Sequence, residues 1–176
     1  LSGGGYWYYQ QGSINLEMVA QKIKEAVSAS EETTVTLYFA HPQWTKLVAE
    51  KRGMKPEIDV VARVDKLVRL LVDGPNSANA APVLPEGTKI RKVYMGPGGL
   101  VMIDFEPTLD ELRSYGAGGE LLSVFALIHT ICENVDEVNS VQILVGGEVR
   151  ETLAGHVRIS EPMKPRPDLI DIEAVK

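Results

Sequence analysis

The chain has 176 residues, which suits one domain with flanking segments, or at most two very small domains. Hydrophobic residues make up 44% of it and charged residues 24%, a balance that supplies a core and excludes global disorder. The net charge of -6 argues against nucleic acid or an anionic membrane surface as main partner, and the single cysteine, Cys132, excludes an intramolecular disulfide framework and a multi-cysteine zinc site.

The first residues, Leu1-Ser2-Gly3-Gly4-Gly5, lead into Tyr6-Trp7-Tyr8-Tyr9. Amphipathic rings of this kind are common just outside a membrane span, so the expectation is the outer end of a removed N-terminal anchor. No window of the chain itself approaches the roughly 20 apolar residues of a span. From Gln10 to Ser30, Leu16, Val19, Ile23 and Val27 form one apolar stripe, predicting a short amphipathic helix. The polar break Ser28 to Glu32 closes a membrane-proximal segment, residues 1–32.

Thr33 to Phe39 alternates and predicts a strand, with Val35, Leu37 and Phe39 on one face. After a turn at His41-Pro42-Gln43-Trp44, Lys46 to Arg52 predicts a second strand, ended by Gly53. Ile58, Val61, Val64, Val68 and Leu71 then mark a helix with its apolar face toward a core. Gly74-Pro75 stops it, because glycine suits a left-handed C-terminal residue and proline cannot continue a helix. A loop from Asn76 to Pro85 precedes two strands, Ile90 to Met95 and Leu100 to Phe105, joined at Pro97-Gly98-Gly99. The second of these is apolar on both faces and is expected to be central.

Glu106 to Tyr115 reads as connector, and the glycine-rich corner Gly116 to Gly119 as the approach to a long apolar helix from Leu121 to Glu133. Val141, Ile143 and Val145 predict a last strand, followed by a Gly146-Gly147 turn. The folded domain is expected over residues 33–162, with residues 163–176 as a tail that need not be ordered. Strands and helices mixed with hairpin signals indicate an α+β fold: a small mixed or antiparallel sheet with two helices packed on one face.

The candidate sites are few. His41, His129 and His156 fall on a loop, a helix and a late turn, with no metal-ligand spacing among them. His129 and Cys132 stand three residues apart on a helix, yet nothing near them supplies an orienting group or oxyanion hole, so core packing is the expectation. Gly116-Ala117-Gly118-Gly119 precedes a helix but lacks the Gly-Lys-Ser/Thr ending of a phosphate loop. Glu120 would also place negative charge where a phosphate would sit, and it suits the helix dipole instead. Asp104, Asp110 and Glu111 have no acid/base or calcium-loop spacing. No catalytic, cofactor-binding or metal residue is therefore expected, and no cofactor.

The order of motifs carries a family resemblance. Leu37-Tyr38-Phe39, Leu47-Val48-Ala49-Glu50 with Arg52, Leu70-Leu71 with Gly74-Pro75, and Leu84-Pro85-Glu86-Gly87-Thr88 come first. Val101 to Phe105, Gly119-Glu120, His129-Thr130-Ile131, Val138 to Val145 with Gly146-Gly147, and Gly155-His156 follow. Together, over about Thr33 to Pro162, they resemble the GerM-type domain of sporulation and spore germination proteins. The chain departs from the pattern at His129, where the family often has Asn, and at Ala49, where it often has Pro. The resemblance implies a compact domain similar to ring-building modules of secretion systems. It implies a place on the outer side of the cytoplasmic membrane behind a signal or lipid anchor, and no enzymatic activity. The function expected is a non-catalytic interaction module of the cell envelope, docking on itself or on another envelope protein. The alternative is a domain that binds a small ligand or cell-wall glycan through aromatics such as Trp44 or Tyr115.

Overall fold

The computed structural model describes residues 17–18 and 32–171. The aromatic run Tyr6 to Tyr9 and the expected N-terminal helix lie outside the described residues, apart from Glu17 and Met18, which are helical. The chain divides into two units, Leu1–Glu32 and Thr33–Lys176.

The second unit is built from β1 (Thr33–Ala40), β2 (Leu47–Met54), α1 (Val60–Val72), β3 (Ile90–Met95), β4 (Leu100–Phe105), α2 (Gly116–Asn134) and β5 (Ser140–Val145). The fold is α+β. Its strands are shared between two small sheets: an antiparallel pair β1-β2, and a mixed triplet in the order β3-β4-β5. In the triplet β3 runs antiparallel to β4, and β5 runs parallel to it. A parallel neighbour needs a long crossover, and α2 provides it. β4 is central, as its two-sided apolar pattern requires, and Val101, Ile103 and Phe105 are fully buried.

Several boundaries differ from the sequence expectation, each for a visible reason. β2 runs through Gly53 to Met54, because β1 still offers Thr34 and Thr33 as partners. Ile58 does not belong to the α1 stripe: it precedes the helix and is 95% exposed, while Asp59 caps the helix by accepting from the Ala62 N–H at 2.8 Å. The presumed connector is a 3-10 run, Pro107–Tyr115, held by the buried Leu109 and Leu112. The glycine-rich corner is the first turn of α2 itself. A Cβ on Gly119 would stand 2.5 Å from Tyr115 Cβ and 3.5 Å from the Trp44 ring, so glycine is required by close approach.

α2 is the core of the unit. Leu122 to Ile131 is buried without a break, the pattern of a helix surrounded on all sides. By length and hydropathy alone, Glu111–Asn134 passes for a membrane span, a match the sequence reading did not foresee. Its burial against β1, α1 and β5 accounts for the composition.

α2 also closes the outer edge of β1. Asn134 Nδ2 donates to Thr36 O at 2.7 Å and its Oδ1 accepts from Thr36 N at 2.9 Å, as a neighbouring strand would. One turn earlier, Thr130 Oγ1 accepts from Tyr38 N at 3.0 Å, and Ala40 exchanges both backbone bonds with Ala81. Substituting Asn134 with alanine leaves the N–H and C=O of Thr36 without partners. The expected cost is about 2–3 kcal/mol of unfolding free energy, measured by urea denaturation. An unchanged transition would show that water replaces the amide.

The stretch from Met163, expected as a tail, is part of the fold. Met163 exchanges two 2.8 Å backbone bonds with Val141 of β5, and Asp171 N donates to Leu47 O of β2 at 2.8 Å. Between them, Arg166 N donates to His129 Nε2 at 3.0 Å. These are single bridges and a side-chain contact, too short to leave a periodic signal in sequence.

Candidate functional site

The charged groups inside the unit hold its loops. Glu120, on the second turn of α2, is fully buried. Its two oxygens accept from Ala154 N at 2.8 Å, Val157 N at 2.9 Å, His156 N at 3.0 Å and His156 Nδ1 at 2.9 Å. Burial pushes its pKa up, but these four donors outweigh burial and hold the carboxyl below its ordinary value. They fold residues 152–158 into a tight turn with Gly155 at φ 117°. Glu120 is thus one turn too far into the helix to complement its dipole, and serves instead as the anchor of the Gly155-His156 turn.

Glu50 and Arg52 form a second clamp. Glu50 accepts from Asn76 N at 3.0 Å and Ser77 N at 3.0 Å and is ion-paired to Arg52. Arg52 donates to Leu70 O at 3.2 Å and Gly74 O at 2.9 Å, with its guanidinium 5.6 Å from the Phe39 ring centroid. Burial raises the Glu50 pKa, and the Arg52 bond with the two backbone bonds brings it below the ordinary value. Asp104, also buried, accepts from Gly147 N at 2.8 Å and pairs with Arg91 at 3.3 Å, which fixes the Gly146-Gly147 turn.

The histidines do not converge. His41 caps its own loop through Gln43 N, His156 faces Glu120, and His129 is buried beside Tyr38, 5.2 Å between ring centroids. Burial lowers the His129 pKa, so the neutral ring accepts from Arg166 N. Cys132 is half-buried, and burial pushes its thiol up to about 11, far from a thiolate nucleophile at neutral pH. Among the described residues no group of three or more His, Cys, Asp or Glu side chains is placed to hold a metal ion. The side chain of Asp110 lies outside the described residues.

Trp44 and Tyr115 are brought together, though not as a platform. Their centroids are 5.1 Å apart with the rings edge-on, both half-buried against the core, and Trp44 takes a left-handed φ of 55° to reach that position. Open grooves mark the surface of the described residues, among them three. One of about 580 Å³ is bordered by His41, Gln43, Glu50, Ser77 and Asn79, one of about 440 Å³ by Arg63, Glu57 and Glu133, and one of about 540 Å³ by Tyr115 and Glu86. In the first, both Glu50 oxygens already accept backbone N–H groups.

What remains is backbone. β1 is closed by α2, and β5 by Met163 and by Glu148, which bonds Val145. β3 is different. Gly96 N bonds Leu100 O, and in that register Tyr94 and Lys92 face β4, leaving the N–H and C=O of Val93 and Met95 pointing outward. No described residue bonds them. Tyr94 is 37% exposed and Met95 39%, the two large apolar side chains on any strand that reach solvent so far. The sequence reading missed this edge. Its only signal is that Arg-Lys-Val-Tyr-Met lacks the clean apolar/polar alternation of β1.

Three solved structures are similar. A candidate lipoprotein from Clostridium perfringens has a TM-score of 0.52 and 20% identity, covering 81% of this chain and 95% of that one. The first GerMN domain of the sporulation protein GerM from Bacillus subtilis has a TM-score of 0.58 and 16% identity, covering 80% and 98%. The tandem GerMN domains of the same protein give 0.57 and 20%, covering 76% of this chain and 46% of the tandem. At such identities the likeness is one of fold. No curated protein sequence matches. Residues 36–151 match the profile of the Germane family, described as sporulation and spore germination, and the chain belongs to that family.

Proposed function

We propose that the chain is a non-catalytic interaction module of the cell envelope, outside the cytoplasmic membrane and held by an N-terminal anchor, that docks on itself or on another envelope protein. The observation that carries this reading is the use made of its buried and half-buried charges. Glu120, Glu50, Arg52 and Asp104 bond to the domain's own backbone and ion pairs, while among the described residues the outer edge of β3 has no backbone partner. A rigid domain with an open edge is suited to recognition through main-chain bonds. The partners on this reading are proteins, not nucleic acid. Membership of the Germane family and the fold shared with a candidate lipoprotein support an envelope location.

The test is made in cells of the native host. A photo-crosslinking residue at Tyr94 or Lys51, both on strands, is expected to yield adducts with an envelope protein or with this chain, identified by mass spectrometry. The chain should fractionate with the envelope. Recovery in the cytosol with no adduct from either position would overturn the reading.

A further inference from the structure

The open β3 edge is self-complementary in one register. The outward groups belong to Val93 and Met95, and a bulge between Ile90 and Lys92 limits the strand at its start. Two such edges can meet antiparallel about a two-fold axis, because an isologous contact places each residue against its symmetry mate. If the axis passes through Val93, Lys92 of each copy stands opposite Tyr94 of the other, and Arg91 opposite Met95. Shifting the axis to Lys92 would set lysine against lysine, which is unfavourable. Shifting it to Tyr94 loses the Lys92–Tyr94 pairs. Only the Val93 register uses the whole segment and opposes no like charges. Within one chain Lys92 Nζ already lies 4.9 Å from the Tyr94 ring centroid, so the ammonium and the ring are at the right level on the same face.

We propose that β3 pairs antiparallel with β3 of a second copy, centred on Val93, joining two three-stranded sheets into one continuous sheet. The proposal rests on the interaction-module reading and names its partner. The pairing gives Val93 the bonds that its backbone lacks among the described residues and covers Tyr94 and Met95. The other open positions serve less well: Leu47 of β2 is already bonded by Asp171, and the remaining outward residues there, Ala49, Lys51 and Gly53, offer little side-chain contact.

Sedimentation velocity on the 176-residue chain tests this. A concentration-dependent monomer–dimer equilibrium is expected. Tyr94→Lys, at an exposed position, would oppose Lys92 with a like charge twice per dimer and should weaken association by about tenfold or more. The double variant Lys92→Glu with Tyr94→Lys restores opposite charges and should recover it, which a general loss of folding could not do. A chain that stays monomeric at all concentrations, or a Tyr94→Lys variant that dimerises unchanged, would overturn the pairing. So would cellular crosslinks from Met95 that reach only a different envelope protein, an outcome that leaves the interaction-module reading standing.

Discussion

Replacing Glu120 with alanine is expected to destabilise the domain by about 3–5 kcal/mol, among the largest losses available to one surface-silent change. The carboxylate is completely buried and takes four hydrogen bonds, three of them from backbone N–H groups of residues 154, 156 and 157. Alanine removes every acceptor at once, and the turn must either bury those donors unpaired or open to water. Glu120→Gln keeps the shape but points an NH2 group at one set of donors, so a smaller loss of about 2 kcal/mol is expected. The pH dependence follows from the sign of the shift. The folded carboxyl sits below its ordinary value while the unfolded one does not. Its stabilisation is therefore complete above the unfolded pKa and disappears as pH falls through the lower folded value. Urea titrations from neutral pH into the acid range should show this limb in the native chain and a shallower one in Glu120→Gln. Equal slopes would mean that the loop, and not the carboxylate, sets the acid response.

Glu120 also shows where sequence reading stops. The alternation Val35-Leu37-Phe39 and the stripe Ile58, Val61, Val64, Val68, Leu71 are local patterns, and the structure buries the first set whole and the last three of the second. The glycine at 119 was visible too, and its cause is local: a Cβ there would stand 2.5 Å from Tyr115 Cβ, four residues back, while the Trp44 ring at 3.5 Å is in ordinary contact distance. The clamps, by contrast, depend on partners far away in the chain. Glu120 meets residues 34 to 37 positions later, Glu50 meets Asn76 and Ser77, 26 and 27 positions on, and Asn134 meets Thr36, 98 positions back. Nothing in the spacing of a lone Glu or Asn distinguishes these partners from solvent. Much of what resembled a family motif, Glu50 with Arg52, Gly74-Pro75, Gly119-Glu120 and Gly155-His156, proves to be the two ends of these long-range contacts. The order of motifs was legible as a family before the contacts that link them were. The β3 edge was not legible, since an unpaired strand differs from a paired one only in what its neighbours do.

The second clamp should respond as a coupled unit. Arg52→Ala is expected to cost about 2–4 kcal/mol, because it strips partners from Leu70 O and Gly74 O and leaves Glu50 with its charge uncompensated. Glu50→Gln should cost about 1–2 kcal/mol, since the amide oxygen can still accept from one of Asn76 N and Ser77 N. The two side chains touch, so the double variant should fall short of the sum by about 1–2 kcal/mol. Arg52→Lys is not a rescue, because an ammonium cannot span Leu70 O, Gly74 O and Glu50 with the fixed fork of a guanidinium. The site of the damage is predictable as well. Amide exchange at Asn76 and Ser77 should accelerate in Glu50→Gln, while Ala62, held by the Asp59 cap at the other end of α1, keeps its protection. As with Glu120, the depressed folded pKa of Glu50 places its contribution above the unfolded pKa and removes it as pH falls through the folded one. A double variant whose losses simply add would show that Arg52 and Glu50 hold the α1 terminus and the 74–77 loop independently, and the clamp would then be two separate contacts that happen to adjoin.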